Sequence, residues 1–141
     1  MTSYNAIAVF SADAKLLLMC ERKKDPYKGL LNFVGGKIEE GETGSEAAYR
    51  ELFEETGIDK DKIVLKPVMD LVYRCDGFYL EIYAGRLKEK VELKEEKNPL
   101  LWVDVEENRD LFFDSSRYAG DGNIGHIVRK ILIHKKEYLD I

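Results

Sequence analysis

The stretch GGKIEEGETGSEAAYRELFEETGI, residues 35–58, specifies a loop, a helix and both helix ends within 24 residues. Thr43 and Glu46 have the capping-box spacing, in which each side chain bonds the other's backbone amide. Gly57 is placed to end the helix, because glycine enters the left-handed conformation of a C-cap without a steric penalty. The spacing therefore predicts a helix from Thr43 to Thr56, entered from the glycine pair Gly35-Gly36. The same stretch holds seven carboxylates and two basic side chains, a formal charge of −5 that equals the net charge of the whole chain. The remaining residues balance to zero.

At about 3.6 residues per turn, Glu51, Glu54 and Glu55 fall within roughly 100° of one another. Ala48, Tyr49, Leu52, Phe53 and Thr56 are predicted on the opposite side, packing on a sheet. Arg50 precedes Glu54 by four residues, within ion-pair reach. Like charges at this spacing repel and weaken a helix. A hard divalent cation such as Mg²⁺ resolves the conflict, since it prefers oxygen ligands. The glycine pair allows close backbone approach and offers a carbonyl as a further ligand. A solvated charged face accounts for the same residues, so chemistry alone leaves both readings open.

The rest of the chain reads as strands with few helices. The apolar runs YNAIAVFSA and KLLLMCER are joined by a turn-like link, as a hairpin requires. Asp76-Gly77 is a hairpin signal between KIVLKPVMDLVYRC and FYLEIYAGRL. GLLNFVGG and PLLWVDV read as further extended segments. In the tail, Ile124, Ile127, Val128, Ile131 and Leu132 recur at helical spacing, which predicts one closing amphipathic helix. Hairpins without regular βαβ units imply a mixed sheet covered by helices. At 141 residues the expectation is one domain, residues 1–141.

Composition narrows the function classes. A pI near 5.2 is unsuited to a polymeric nucleic acid, whose phosphates need a basic stripe. It leaves room for a small phosphorylated ligand bridged to carboxylates by cations. The N-terminus lacks a basic segment and a long apolar core, so no signal peptide is expected. No apolar run approaches the ~20 residues that span a bilayer. Cys20 and Cys75 fit neither a disulfide framework nor a metal knuckle, and are expected to be buried thiols. Together these point to a cytoplasmic protein with no membrane partner. The oligomeric state is not written in the sequence, and a homodimer is compatible with it.

The spacing from Gly36 through Glu42 to Arg50, Glu51, Glu54, Glu55 and Gly57, with Leu52 and Ile58 at the aliphatic positions, reproduces the Nudix box G-x5-E-x7-R-E-U-x-E-E-x-G-U. The chain resembles the Nudix, or MutT-like, hydrolases along its whole length. The resemblance implies an α/β Nudix fold, an α/β/α sandwich with a mixed sheet. It also implies hydrolysis of a nucleoside diphosphate linked to another moiety, with Mg²⁺ or Mn²⁺. Carried over, Glu54 and Glu55 are the principal metal ligands, with the Gly35 carbonyl nearby. Glu51 is a water-orienting residue or base and a further ligand, Arg50 holds Glu51, and Glu42 supports the loop. Such a centre suits cations that clamp phosphates and acidify water.

Family members often add a catalytic glutamate before a tryptophan strand. Here that is Glu95 or Glu96, with Glu96 preferred by its distance from Trp102. Arg22 and Lys23 are candidates for phosphate contact, or belong to a basic surface loop. The arrangement N-x-x-G-G-K, with Asn32 and Lys37, resembles the oxidised-purine triphosphatases, in which the asparagine contacts the base; Leu31 and Val34 replace the tryptophan and proline of other relatives. An asparagine amide both donates and accepts along one purine edge. Asp121 or Asn123 either caps the last helix or faces a base, and Tyr118 is a candidate to stack on it. The resemblance thus points to a nucleoside triphosphate, an oxidised purine one among the candidates, cleaved to monophosphate and pyrophosphate. ADP-ribose, a nucleotide sugar or a dinucleoside polyphosphate is the alternative. Enzymes for ADP-ribose often carry a domain-swapped N-terminal extension, and here the first strand begins almost at once. A non-catalytic nucleotide-sensing module is the rival of another class, disfavoured by an intact box.

Overall fold

A computed structural model describes residues 1–141. Its strands are β1 (Thr2–Phe10), β2 (Leu16–Glu21), β3 (Leu31–Asn32), β4 (Lys66–Tyr73), β5 (Phe78–Arg86) and β6 (Leu100–Asp104). They form one sheet in the order β3-β2-β1-β5-β4, with β6 paired to β2 off that path. β1 runs parallel to β5, whereas β4–β5 and β2–β6 are antiparallel, so the sheet is mixed. The helices are α1 (Gly44–Thr56), α2 (Asn123–Ile133) and α3 (Lys135–Leu139).

β1 explains the layering. Ala6, Ala8 and Phe10 join a core with Ile124, Ile127, Val128 and Ile131 of α2. Ile7 and Val9 point the other way, onto Ala48 and Leu52 of α1. A strand covered on both faces has no polar side, hence the unbroken run Ala6–Phe10. Each buried leucine or isoleucine contributes about 1.5–3 kcal/mol relative to exposure. The result is helix, sheet, helix, as the sequence leads one to expect.

The α1 ends match their signals. Thr43 Oγ1 accepts from the Glu46 amide at 3.1 Å, and Glu46 Oε1 accepts from the Thr43 amide at 2.9 Å. Gly57 closes the helix at φ 78°, its amide donating to the Phe53 carbonyl. The face assignment needs one correction. Phe53 is 51% exposed, while Glu51 and Glu55 are each 7% exposed. Phe53 lies about 100° beyond Leu52, outside the buried stripe. The two carboxylates flank the side that meets the sheet.

The tail also differs from the expected single helix. It breaks at His134 (φ −114°, ψ 38°) and resumes as α3. The break returns Leu139 to the α2 core, and the Arg86 guanidinium bonds the carbonyls of Leu139 and Asp140. Of the two cysteines, Cys20 is buried and Cys75 is exposed in the β4–β5 hairpin.

Candidate active site

After β3 the chain crosses β1 antiparallel, with the Ile7 amide on the Val34 carbonyl at 2.8 Å and the Asn5 amide on the Gly36 carbonyl at 2.8 Å. Both glycines are forced by what they touch. Gly35 sits at φ 152°, and a Cβ there would overlap the Asn5 carbonyl. A Cβ on Gly36 would overlap the Glu51 carboxylate. The glycine pair is therefore the seam where α1, the loop and β1 meet.

One guanidinium organises the acidic cluster. Arg50 Nε donates to Glu42 Oε2 at 3.0 Å and Nη2 to Glu42 Oε1 at 2.6 Å. Its Nη1 donates to Glu51 Oε1 at 2.9 Å and Glu54 Oε2 at 2.8 Å, and Nη2 also reaches the Lys37 carbonyl at 2.9 Å. The bidentate pair holds the Glu42 carboxyl down at about 2, helped by the Glu39 amide. Glu55 is outside this web and accepts instead from the Gly35 amide at 2.6 Å. Burial pushes its carboxyl above the ordinary value against that hydrogen bond, and the Glu51 charge adds to the rise.

Beside the cluster lies a cleft of about 520 Å³. Gly35, Gly36, Glu55 and Asn98 line it together with the aromatic side chains of Tyr4, Tyr73 and Phe78. Tyr73 and Phe78 stack with centroids 4.4 Å apart, and Tyr4 meets Phe78 edge-on at 5.8 Å. Cys20 also lines the cleft, but burial pushes its thiol up to about 12, so it is an apolar wall and no nucleophile.

The profile described as NUDIX domain matches residues 2–119. The chain belongs to the NUDIX family. Among its relatives, ADP-ribose pyrophosphatase of Methanocaldococcus jannaschii is 34% identical over 120 residues, covering 80% of this chain and 68% of that protein. Dihydroneopterin triphosphate diphosphatase of Escherichia coli is 42% identical over 53 residues, 38% of this chain and 34% of that protein. The NUDIX fold is matched by the structure of the E. coli dihydroneopterin triphosphate pyrophosphohydrolase, at TM-score 0.73, 19% identity and coverage of 94% and 95%. It is matched too by a Caenorhabditis elegans Ap4A hydrolase, at TM-score 0.74, 15% identity and coverage of 98% and 100%. NUDIX membership places the chain among hydrolases acting on pyrophosphate bonds.

NUDIX hydrolases generally use a divalent metal. No three acidic, histidine or cysteine side chains converge as a closed cage in this structure. The donor set nonetheless fits a hard cation. Glu51 and Glu55 are buried carboxylates one helical turn apart, and Arg50 compensates only the first. No backbone amide donates to the Gly35 carbonyl, which leaves a neutral oxygen beside them. Glu51, Glu54, Glu55 and that carbonyl suit Mg²⁺ or Mn²⁺.

The NUDIX-box residues are thus gathered in one place, and the outlying candidates divide. Arg22 and Asn32 line the cleft, with Arg22 Nε on the Pro26 carbonyl at 2.7 Å and Asn32 Oδ1 accepting from the Phe33 amide at 2.9 Å. Lys23 pairs with Glu21 at 2.8 Å on the exterior, and Lys37 contributes its carbonyl to Arg50 while its side chain is exposed. Asp121 and Asn123 stand behind the wall. Asp121 Oδ2 accepts from the Tyr27 hydroxyl and Asn123 Nδ2 donates to the Tyr73 hydroxyl, both at 2.8 Å, and the two tyrosines line the cleft. Neither caps α2 through its side chain. Glu96 is exposed and does not line the cleft, and Glu95 Oε2 accepts from the Leu100 amide at 2.7 Å. Asn98 occupies the wall there. Tyr118 is 1% exposed, bonded to Asn108 and packed on Phe112, so it cannot stack on a ligand. Sequence reasoning missed Asn5, Asn98 and the Tyr73–Phe78 stack. Asn5 had a signal, as the polar residue immediately before the apolar run Ala6–Phe10 of β1.

Proposed function

We propose that this protein is a Mg²⁺- or Mn²⁺-dependent pyrophosphohydrolase that takes a nucleoside triphosphate and water to the monophosphate and pyrophosphate. The observation that carries the reading is one cleft lined both by Glu55 and the glycine pair and by a stacked aromatic wall. The first set suits phosphates, and aromatic faces suit a base. The bound cation would neutralise the pyrophosphate and lower the pKa of water.

The chain's own residues do the rest. Glu54, Glu55 and the Gly35 carbonyl hold the cation. Glu51, fixed by Arg50, orients the attacking water and takes its proton at a carboxylate oxygen. Arg50 keeps Glu51 in one rotamer by a charge-assisted bond of 2.9 Å. Arg22 is free at its terminal nitrogens to meet the leaving phosphates, while Asn32 faces the base. Purine nucleotides, oxidised ones among them, fit this arrangement.

ADP-ribose is the second reading, favoured by the 34% identity to the M. jannaschii pyrophosphatase. A panel of nucleoside triphosphates, ADP-ribose and a dinucleoside tetraphosphate separates the two when products are resolved at several Mg²⁺ and Mn²⁺ concentrations. Monophosphate and pyrophosphate from a triphosphate support the main reading. Turnover of ADP-ribose alone replaces it, and nucleotide binding without metal-dependent turnover of any member favours a nucleotide sensor.

A further inference from the structure

The peptide unit joining Gly35 to Gly36 is held differently from its neighbours. Backbone bonds to β1 fix the units on either side, with the Ile7 amide on the Val34 carbonyl and the Asn5 amide on the Gly36 carbonyl, both at 2.8 Å. The Glu55 carboxylate takes the Gly35 amide at 2.6 Å. The unit between has one tie, the Gly36 amide donating to Asn5 Oδ1 at 3.0 Å. No backbone amide reaches its other end, the Gly35 carbonyl.

Carbonyl and N–H point in opposite directions across a trans peptide. Holding the Gly36 N–H toward Asn5 therefore turns the Gly35 oxygen away from Asn5. With glycine on both sides, no side chain blocks a flip of this unit. A flip would set the Gly35 oxygen against Asn5 Oδ1, acceptor on acceptor, and present an N–H where the cation would meet a carbonyl.

The rest of Asn5 does nothing to explain its presence. Strand alternation puts its side chain on the α1-facing side of β1 with Ile7 and Val9, and it is 4% exposed. Its Nδ2 has no hydrogen-bond partner, and an unpaired buried donor costs stability. Packing against α1 alone favours an apolar residue here. Aspartate would supply the oxygen, but with a charge added to a seam that already holds Glu51 and Glu55.

We infer that Asn5 is a positioning residue for the cation, whose side-chain oxygen sets the Gly35 carbonyl as a ligand. The inference rests on the cation-dependent reading above and deepens it.

Asn5→Val tests this, since a β-branched side chain suits a strand and cannot accept the Gly36 N–H. Mn²⁺ binding, followed by electron paramagnetic resonance, should be about tenfold weaker than in the parent, the scale of losing a group that orients a ligand. The Tm should stay near the parent's. Should valine disturb the strand, Asn5→Ala removes the acceptor without adding bulk. Asn5→Asp restores the oxygen and should bind Mn²⁺ at least as tightly as the parent.

Nuclear magnetic resonance reads the peptide unit itself. Without metal, the Gly36 amide should exchange slowly with solvent in the parent and in Asn5→Asp, and fast in Asn5→Val. On adding Mg²⁺, the Gly35 carbonyl ¹³C resonance should shift in the first two proteins and stay put in the third. Parent-like Mn²⁺ affinity in Asn5→Val overturns the inference and leaves the cation reading intact. Equal weakening in Asn5→Val and Asn5→Asp also overturns it, because the shape of the side chain rather than its oxygen would then matter. A parent that binds no Mn²⁺ removes the cation reading and this inference together.

Discussion

Arg50 grips Glu42 through two parallel hydrogen bonds, at 3.0 and 2.6 Å, and spends its remaining nitrogen on Glu51 and Glu54. A lysine carries the charge but not the planar fork. Arg50→Lys should therefore lower kcat more than it changes KM, and lower the Tm as the loop loses its tie. Steady-state kinetics and a melt check both. An unchanged kcat with a raised KM makes Arg50 a substrate-binding residue instead.

The same pair sets a pH dependence. Glu42 is held at about 2, below its ordinary 4.5. A folded-state value below the unfolded one means that charged Glu42 stabilises the protein above pH 4.5. That contribution fades as the pH falls toward about 2. Glu42→Gln should lower the Tm most above pH 4.5, with the gap to the parent closing toward pH 2. A gap that stays constant across this range assigns the loss to packing rather than charge.

Gly36 leaves no room for a side chain, since a Cβ there meets the Glu51 carboxylate. Gly36→Ala should displace Glu51 and lower kcat on the order of 10²-fold, the scale of a small misplacement of a catalytic group. Tm should change far less than activity. Normal kcat would mean that Glu51 need not stay where Arg50 holds it.

Asn32 offers its Nδ2 to the cleft, its oxygen being engaged by the Phe33 amide. Asn32→Ala should reduce discrimination between oxidised and ordinary guanine triphosphates by roughly tenfold, the worth of a lost base contact. Comparing kcat/KM for both nucleotides in parent and variant reads this directly. Equal slowing of both leaves Asn32 as a strand-end residue.

The carboxylate centre was legible because its signals are local. Thr43, Glu46 and Gly57 bound the helix through neighbours in the sequence, and the fixed spacing puts Glu51, Glu54 and Glu55 together whatever the tertiary fold. The helix–sheet–helix layering was legible for a related reason, since Ala6–Phe10 has no polar face to leave in water. The cleft was not. Tyr73 meets Phe78 only across a hairpin, Asn98 arrives from the β6 loop, and Asn5 meets Gly36 only once the loop after β3 crosses β1. The helix face was misjudged at Phe53 because periodicity marks a stripe without saying which edge the sheet covers. Asp121 and Asn123 stand one layer behind the cleft wall, bonded to tyrosine hydroxyls that sequence spacing does not connect to them.

In the proposed reaction the α1 carboxylates hold the cation on which hydrolysis depends. Glu54 tests it best, since it is exposed and its change should spare the fold. Mn²⁺ binding, followed by electron paramagnetic resonance, and nucleoside triphosphate turnover are measured together in the parent and in Glu54→Gln, with melts as the control. If Glu54 is a cation ligand, the variant keeps its Tm, binds Mn²⁺ at least tenfold more weakly and loses most turnover. Parent-like Mn²⁺ affinity and near-normal turnover at low metal in Glu54→Gln would contradict it.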